Sequence, residues 1–275
     1  MKWVTHIYLA NFYASVQLAD KPEMANEALL IMKHNRVIDL NPQAAAAGVK
    51  LHSSRRHAYQ ACSKCLFVDY AEEEYRKPAE EILNACMEYT PVIEPVAENE
   101  FYLELSGPHQ PDQVVRELAA LLIPAFATGL SAGIGKNKFL ARVANMVLAA
   151  GRVRNLQETL QTSNEIFKAQ EAKFYWLKQQ PGPKAAEFLA ILPISYLWLL
   201  EGDVKDRLIQ LGFTTIGQIT TLSLEILQRE FGNRAKLVKD LTFGQDFSPV
   251  FSLYPPKKLS KNQRFNGGVS ELATL

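Results

Sequence analysis

Trp3-Val4-Thr5-His6-Ile7-Tyr8-Leu9-Ala10-Asn11-Phe12-Tyr13-Ala14-Ser15-Val16 changes character halfway along. Trp3, Val4, Ile7 and Tyr8 are good sheet formers, which predicts a strand over residues 3 to 10, and Asn11 to Ala14 turns the chain into a helix. The same alternation continues downstream. Leu29 to Met32 and Arg36 to Leu40 predict a hairpin turning at His34-Asn35, and Ala44 to Ala47 a helix stopped by Gly48. Tyr75, Ala79, Ile82, Leu83, Cys86 and Tyr89 recur at helical spacing and predict a helix ending before Pro91. Val92 to Val96 and Glu100 to Leu105 predict paired strands around the Glu98-Asn99 corner. Asp112 is expected to cap a helix carrying Val115, Leu118, Leu121 and Leu122. A strand from Ala125 to Ile134 and a helix from Asn137 to Ala150, stopped by Gly151, complete the unit. This succession predicts an α+β domain, a sheet with helices on one face.

The chain has 275 residues, with 30 Lys and Arg against 29 Asp and Glu, so no strong global field drives nonspecific attachment to DNA or to a membrane. At 48% hydrophobic and 21% charged it has apolar mass for a real core, and its length predicts two or three units. The most apolar run, Leu118 to Leu130, contains Pro124 and falls short of the roughly 20 residues a membrane span needs. His6 and Asn11 interrupt the apolar start, so no secretory leader is expected. Three cysteines, Cys62, Cys65 and Cys86, are too few for a disulfide framework and favour a reducing, cytoplasmic setting.

Beyond Gly151 the rhythm becomes helical, including Lys173 to Lys178, with Pro181-Gly182-Pro183 as punctuation. A separate helical module follows, its core built from residues such as Leu189, Leu192, Leu197, Leu208, Leu211, Ile216, Leu227, Leu237 and Leu241. From Tyr254 onward Lys257, Lys258, Lys261 and Arg264 face a single acid, Glu271, which reads as a basic linker.

Phe12-Tyr13-Ala14-Ser15-Val16, Tyr89-Thr90-Pro91-Val92-Ile93-Glu94-Pro95, Glu100-Phe101-Tyr102-Leu103-Glu104-Leu105-Ser106-Gly107 and Gly135-Lys136-Asn137-Lys138-Phe139-Leu140-Ala141, in this order, resemble Y-family (UmuC-like) translesion DNA polymerases. Leu192-Pro193-Ile194, Leu197-Trp198 and Leu211-Gly212-Phe213-Thr214-Thr215-Ile216-Gly217 resemble the thumb of that family. The resemblance implies a palm over 1–10 and 71–155, small α/β fingers over 11–70, an all-helical, helix-hairpin-helix-like thumb over 156–246, and a basic linker over 247–275. The family's little finger has no counterpart, and Gly267-Gly268-Val269-Ser270 resembles its threshold, as in a truncated chain.

Polymerase chemistry needs two Mg²⁺ ions held by several anionic oxygens. The resemblance places the family's acidic metal ligands at Tyr8, Ala10, Asn99 and Glu100, of which only Glu100 is a carboxylate. A phenol or a neutral amide is a poor magnesium ligand at neutral pH, so catalytic metal binding is expected to fail. The family's Tyr, Arg and Lys contacts to the incoming triphosphate align with Pro42, Ala45 and Ala149. Each lost charge-assisted hydrogen bond removes about 1.5–3 kcal/mol. Phe12 and Tyr13 remain as remnants of the nucleotide pocket, Tyr13 matching the ring that excludes ribonucleotides, with packing of palm against fingers as their plainer role.

Loss in separate segments at once resembles the non-catalytic ImuB-type branch. That branch implies an accessory factor in DNA repair, translesion synthesis and SOS mutagenesis, partnered with a sliding clamp, a RecA-like accessory protein and an error-prone replicative-type polymerase. No cofactor is then expected. The alternative is an active translesion DNA polymerase using Mg²⁺ on relocated carboxylates, Glu98 or Glu104.

DNA contact, weak in this chain, is expected from the thumb hairpin Leu199-Leu200-Glu201 with Gly202 one place late, from Lys205, and above all from Lys257, Lys258, Lys261 and Arg264. Arg207, Lys136, Lys138 and Arg142 are further cations within reach of a DNA backbone, or solvated faces. Cys62-Ser63-Lys64-Cys65, with His52 and His57 nearby, has zinc-knuckle spacing but no second pair, so ordinary cysteines are expected. His6 has no Ser or Cys partner and is assigned no catalytic role.

Overall fold

The computed structural model describes residues 2–19, 21–24, 26–149, 166–168, 174–178 and 183–252. The chain opens with β1 (Trp3–Ala10) and α1 (Phe12–Ala19), then β2 (Leu29–Lys33), β3 (Arg36–Leu40), α2 (Pro42–Ala46), α3 (Arg55–Ala61) and β4 (Leu66–Asp69). α4 (Glu72–Met87), β5 (Ile93–Ala97), β6 (Glu100–Leu105), α5 (Pro111–Phe126), β7 (Gly129–Gly135) and α6 (Lys138–Ala149) follow. The remainder contains β8 (Ile166–Lys168), β9 (Phe174–Lys178), α7 (Pro183–Ala190), α8 (Gly202–Gln210), α9 (Ile216–Thr220), α10 (Leu224–Phe231) and α11 (Ala235–Thr242). No described helix is long and apolar enough to cross a membrane.

The large sheet has the order β5-β6-β1-β7-β9-β8. β1 pairs antiparallel with both β6 and β7, while β9 lies parallel to β7. Trp3, Ile7 and Leu9 on β1 share one face with Phe101, Leu103, Leu130 and Ala132, as the alternation of a strand requires, and α1, α4 and α5 bury that face. The mixed α+β class is as expected, but the helices are divided between the faces, because α6 crosses the opposite one. Gly133 and Gly135 allow this: a Cβ on Gly133 would stand 1.9 Å from the Ala141 carbonyl oxygen, and one on Gly135 2.6 Å from the Ala141 nitrogen.

The fingers carry a second sheet, β3-β2-β4, and their own small core around Leu30, Met32, Val37 and Ala58. The fingers sheet is tied through Asp39 to α1, which packs into the palm core. This buried carboxylate accepts the Ala14 amide at 3.1 Å and the amides of Leu40, Tyr13 and Asn11, holding the start of α1 from β3. Burial pushes its pKa up to about 6 against those hydrogen bonds.

Further sequence expectations need correction. Lys173 to Lys178 is not helical: Phe174–Lys178 is a strand of the palm sheet, so the expected palm boundary at 155 falls short and part of 156–246 is palm. α5 runs through Pro124 to Phe126 and stops where Ala127 turns left-handed at φ 48°, so the next strand begins at Gly129 rather than Ala125. Gln110, not Asp112, precedes that helix as its cap residue, and Asp112 lies in the first turn. Cys62 and Cys65 form a disulfide instead of standing as ordinary thiols, which removes them from the argument for a reducing compartment, whereas Cys86 is free and buried.

The thumb core gathers Leu189, Leu192, Leu197, Leu208, Ile216, Leu227 and Leu241, and it includes Phe139, Leu140 and Val143 of α6, so thumb and palm share a helix. Leu211 and Leu237, expected in that core, are exposed. The basic stretch Lys257, Lys258, Lys261 and Arg264, the turn at 181–182, Gly151 and the Gly267–Ser270 threshold lie outside the described residues.

Candidate functional site

Pairing of Tyr8 with Glu100 and of His6 with Tyr102 puts the even residues of β1 and β6 on the face that α6 crosses. The close approach at Gly133 lays Asn145 and Arg142 over these strands. Asn145 Nδ2 donates to His6 Nδ1 at 2.9 Å, and lies 3.2 Å from the Ser131 carbonyl oxygen and 3.3 Å from that of His6. An amide donor at Nδ1 leaves the proton of a neutral imidazole on Nε2, which donates to Glu100 Oε1 at 2.8 Å. Burial lowers the His6 pKa despite the favourable Glu100 carboxylate, so the ring is neutral at pH 7.

Arg142 supplies the charge. Its guanidinium lies 2.9 Å from the same Glu100 oxygen and 4.8 Å from the Trp198 ring centroid, joining the palm corner to the thumb. Burial by itself would raise the Glu100 carboxyl, but the His6 hydrogen bond and the Arg142 charge outweigh it, and its pKa is lowered. Tyr8 is pushed up to about 12 by burial and by the charges of Asp39 and Glu100, against a hydrogen bond with Asn99. The buried Asn99 amide donates to the Leu9 carbonyl at 3.0 Å, while the Leu9 N–H donates to the Asn99 carbonyl at 2.8 Å, which closes the hairpin corner onto β1.

These groups border a cavity of about 900 Å³ between palm and fingers, also lined by Tyr13, Lys33, His52, Tyr70, Glu98 and Ala149. Glu98 accepts hydrogen bonds from Tyr13 at 2.7 Å and from Tyr70. Burial opposes its ionisation, yet the two hydroxyls and the charge of Lys33 lower its pKa. Tyr13 therefore both lines the cleft and bolts fingers to palm, whereas Phe12 is wholly buried against Tyr75 and Phe126 and serves packing. Of the positions aligned with triphosphate contacts, Ala149 lines the cavity, while Pro42 and Ala45 stand exposed on α2 and do not.

The donor set at the cavity floor does not fit two Mg²⁺ ions. Tyr8, Ala10 and Asn99 bring no negative charge, and Glu100 already has a guanidinium partner. Among the described residues, no group of three or more His, Cys, Asp or Glu side chains is placed to hold a metal.

Sequence reading missed the role of α6. Lys138, Arg142, Asn145 and Ala149 recur at helical spacing and form one stripe, which was the available signal. Lys138 and Arg142 are not solvated cations: Lys138 is buried on Glu94, both oxygens at 3.0 Å, and Arg142 holds Glu100. Lys136 stacks over Trp3 at 3.4 Å. In the thumb, Gly202 starts α8, and Arg234 pairs with Glu201 at 2.7 Å and with Asp203 at 2.8 Å, which fills the helix start with the protein's own carboxylates. Lys205 is half-buried on α8, and Arg207 pairs with Glu230 at 2.7 Å.

Residues 7–146 match the impB/mucB/samB family model. The DNA polymerase IV of Desulfatibacillum aliphaticivorans is 25% identical over 276 residues, 98% of this chain and 64% of that protein. The DNA polymerase IV of Pseudomonas syringae pv. tomato is 25% identical over 278 residues, 98% of this chain and 72% of its own length. The chain thus spans under two thirds of the first relative. The crystal structure of DinB from Sulfolobus solfataricus superposes with a TM-score of 0.67 at 17% identity, covering 91% of this chain and 69% of that one. With a sheet, a cleft and a motif order that all agree with these matches, the chain belongs to the impB/mucB/samB family, within the Y-family (UmuC/DinB-like) polymerases.

Proposed function

We propose that this chain is a catalytically inactive Y-family polymerase homologue that serves DNA repair and translesion synthesis as a DNA-associated or protein-docking factor in the cytoplasm. One observation carries this reading: the single carboxylate at the family's metal corner, Glu100, is already satisfied by neutral His6 and by Arg142. A cation has been built into the fold where the family's chemistry calls for exchangeable ones. Inactivity, the ImuB-type branch and its partners, a sliding clamp, a RecA-like protein and an error-prone replicative-type polymerase, belong to this proposal.

The relatives' name, DNA polymerase IV, favours a second reading, an active polymerase with relocated ligands. Its two spare carboxylates are engaged elsewhere: Glu98 by Tyr13 and Tyr70, Glu104 by Lys2 at 2.6 Å. Extension of a labelled primer on a template, with Mg²⁺ or Mn²⁺, separates the readings. No nucleotide addition is expected, and robust templated incorporation overturns the inactive assignment.

A further inference from the structure

Charge is unevenly distributed along this balanced chain. Between Lys33 and Lys64 six Lys and Arg residues face one acid, the buried Asp39, so the rest of the chain is net acidic. The fold collects this stretch on one face of the fingers. Arg36 bridges to Ser54, the Val37 amide donates to Ser53 at 3.0 Å, the His52 amide to Val37 at 2.8 Å and the Arg55 amide to Asn35 at 3.1 Å. The Arg36 guanidinium adds a bond to the His52 carbonyl at 3.0 Å. The turn between β2 and β3 is thereby stitched to the chain entering α3, and Lys33, Arg36, Lys50 and Arg56 stand exposed around the seam, with Lys64 exposed just past α3. Lys50, Arg56 and Lys64 carry no ion pair among the described residues.

Cations alone would suit any polyanion, but this surface also holds a platform of rings. Tyr59 on α3 is 58% exposed and packs against Phe67 with ring centroids 6.2 Å apart, and the Arg55 guanidinium lies 5.7 Å from the Phe67 ring. Arg55 itself is paired with the exposed Asp69, so the ring that is open is Tyr59, and an exposed ring among unpaired cations receives an unstacked base, which an acidic peptide lacks and a duplex does not offer. Lys33 and His52 also line the cavity, so the surface runs into the cleft.

We propose that this face of the fingers docks single-stranded DNA, with Lys50, Arg56 and Lys64 meeting phosphates and Tyr59 stacking on a base. The choice of DNA among nucleic acids rests on the Y-family reading, and the surface does not depend on catalysis.

The test is fluorescence anisotropy of labelled oligo-dT with the full chain across a salt series. The triple variant Lys50→Ala, Arg56→Ala, Lys64→Ala is expected to flatten the log–log salt slope by about 0.7 per phosphate-contacting cation. Tyr59→Ala is expected to weaken binding about tenfold with the slope unchanged, since stacking carries no charge. Far-UV circular dichroism and melting temperature should match the parent in both. An unchanged slope in the triple variant overturns the proposal, as does displacement of DNA by polyglutamate as readily as by unlabelled oligo-dT. Loss of binding on Lys205→Ala instead moves DNA to the thumb and leaves the Y-family reading standing. Failure of the parent chain to bind DNA at all sinks this surface and the DNA-associated half of that reading together, leaving protein docking.

Discussion

Along β1, neighbouring residues live in different chemistries. Trp3, Ile7 and Leu9 press into a dry core with Phe101, Leu103 and Leu130, while His6 and Tyr8 face Glu100, Arg142 and Asn145 across an open cleft. The two sets share a backbone but hardly any side-chain neighbours, because successive strand residues point to opposite faces. One face can therefore exchange its charged groups while the other keeps the fold. That separation explains how a chain only 17% identical to DinB from Sulfolobus solfataricus retains its architecture while presenting Tyr8 and Asn99 to the cavity.

The largest effect should come from the dry face. Phe101→Ala, at a residue 1% exposed, is expected to cost about 3–5 kcal/mol in urea unfolding. A loss under about 1 kcal/mol would mean that this face is not the seat of stability. Asp39 extends the comparison to the join with the fingers. Its carboxyl, pushed up to about 6 by burial from an ordinary 3.8, holds a proton in the native state where the unfolded chain releases it. Its contribution is therefore full below about pH 4 and lost as pH rises through 6, a swing of about 2–3 kcal/mol. His6, Glu98 and Glu100, all with lowered pKa, slope the opposite way and lose stability on acidification. The difference between parent and Asp39→Asn unfolding curves over pH isolates the Asp39 component, and a difference flat with pH would refute it.

On the wet face, Arg142→Ala should cost about 1.5–3 kcal/mol by stranding the Glu100 carboxylate, with partial recovery in the Glu100→Gln background. Equal losses in both backgrounds would show that Arg142 acts through Trp198 instead. The smallest expected change returns to the dry face. Thr5 is fully buried there, and its hydroxyl has no partner among the described residues, so Thr5→Val should be neutral or stabilise by about 1 kcal/mol. Clear destabilisation would reveal a polar contact on a face described as apolar.

Much of this was legible in local pattern. β1, the fingers hairpin, α4 and the β5–β6 pair lie within a few residues of where sheet formers, helical spacing and turn residues place them. β9 was missed although Phe174, Tyr175 and Trp176 are sheet formers, because its partner β7 lies far upstream and no local signal announces a parallel pairing. α5 runs past Pro124 since packing of Leu118 and Leu122 on the sheet outweighs one missing hydrogen bond. At the site, the substituted positions were readable by resemblance, but the Arg142–Glu100 pair, 42 residues apart, depends on a close helix approach that only two glycines permit.

The chain leaving α11 is sewn back onto the palm. Asp246 accepts the Phe139 amide at 3.1 Å, Val250 is buried beside Val4 and Tyr102, the Phe251 amide reaches Glu94 at 2.7 Å and Ser252 Oγ the Pro91 carbonyl at 2.8 Å. The described chain thus ends against the start of the β5–β6 hairpin, so a partner fused at Ser252 would take its origin from the palm sheet and not from the thumb.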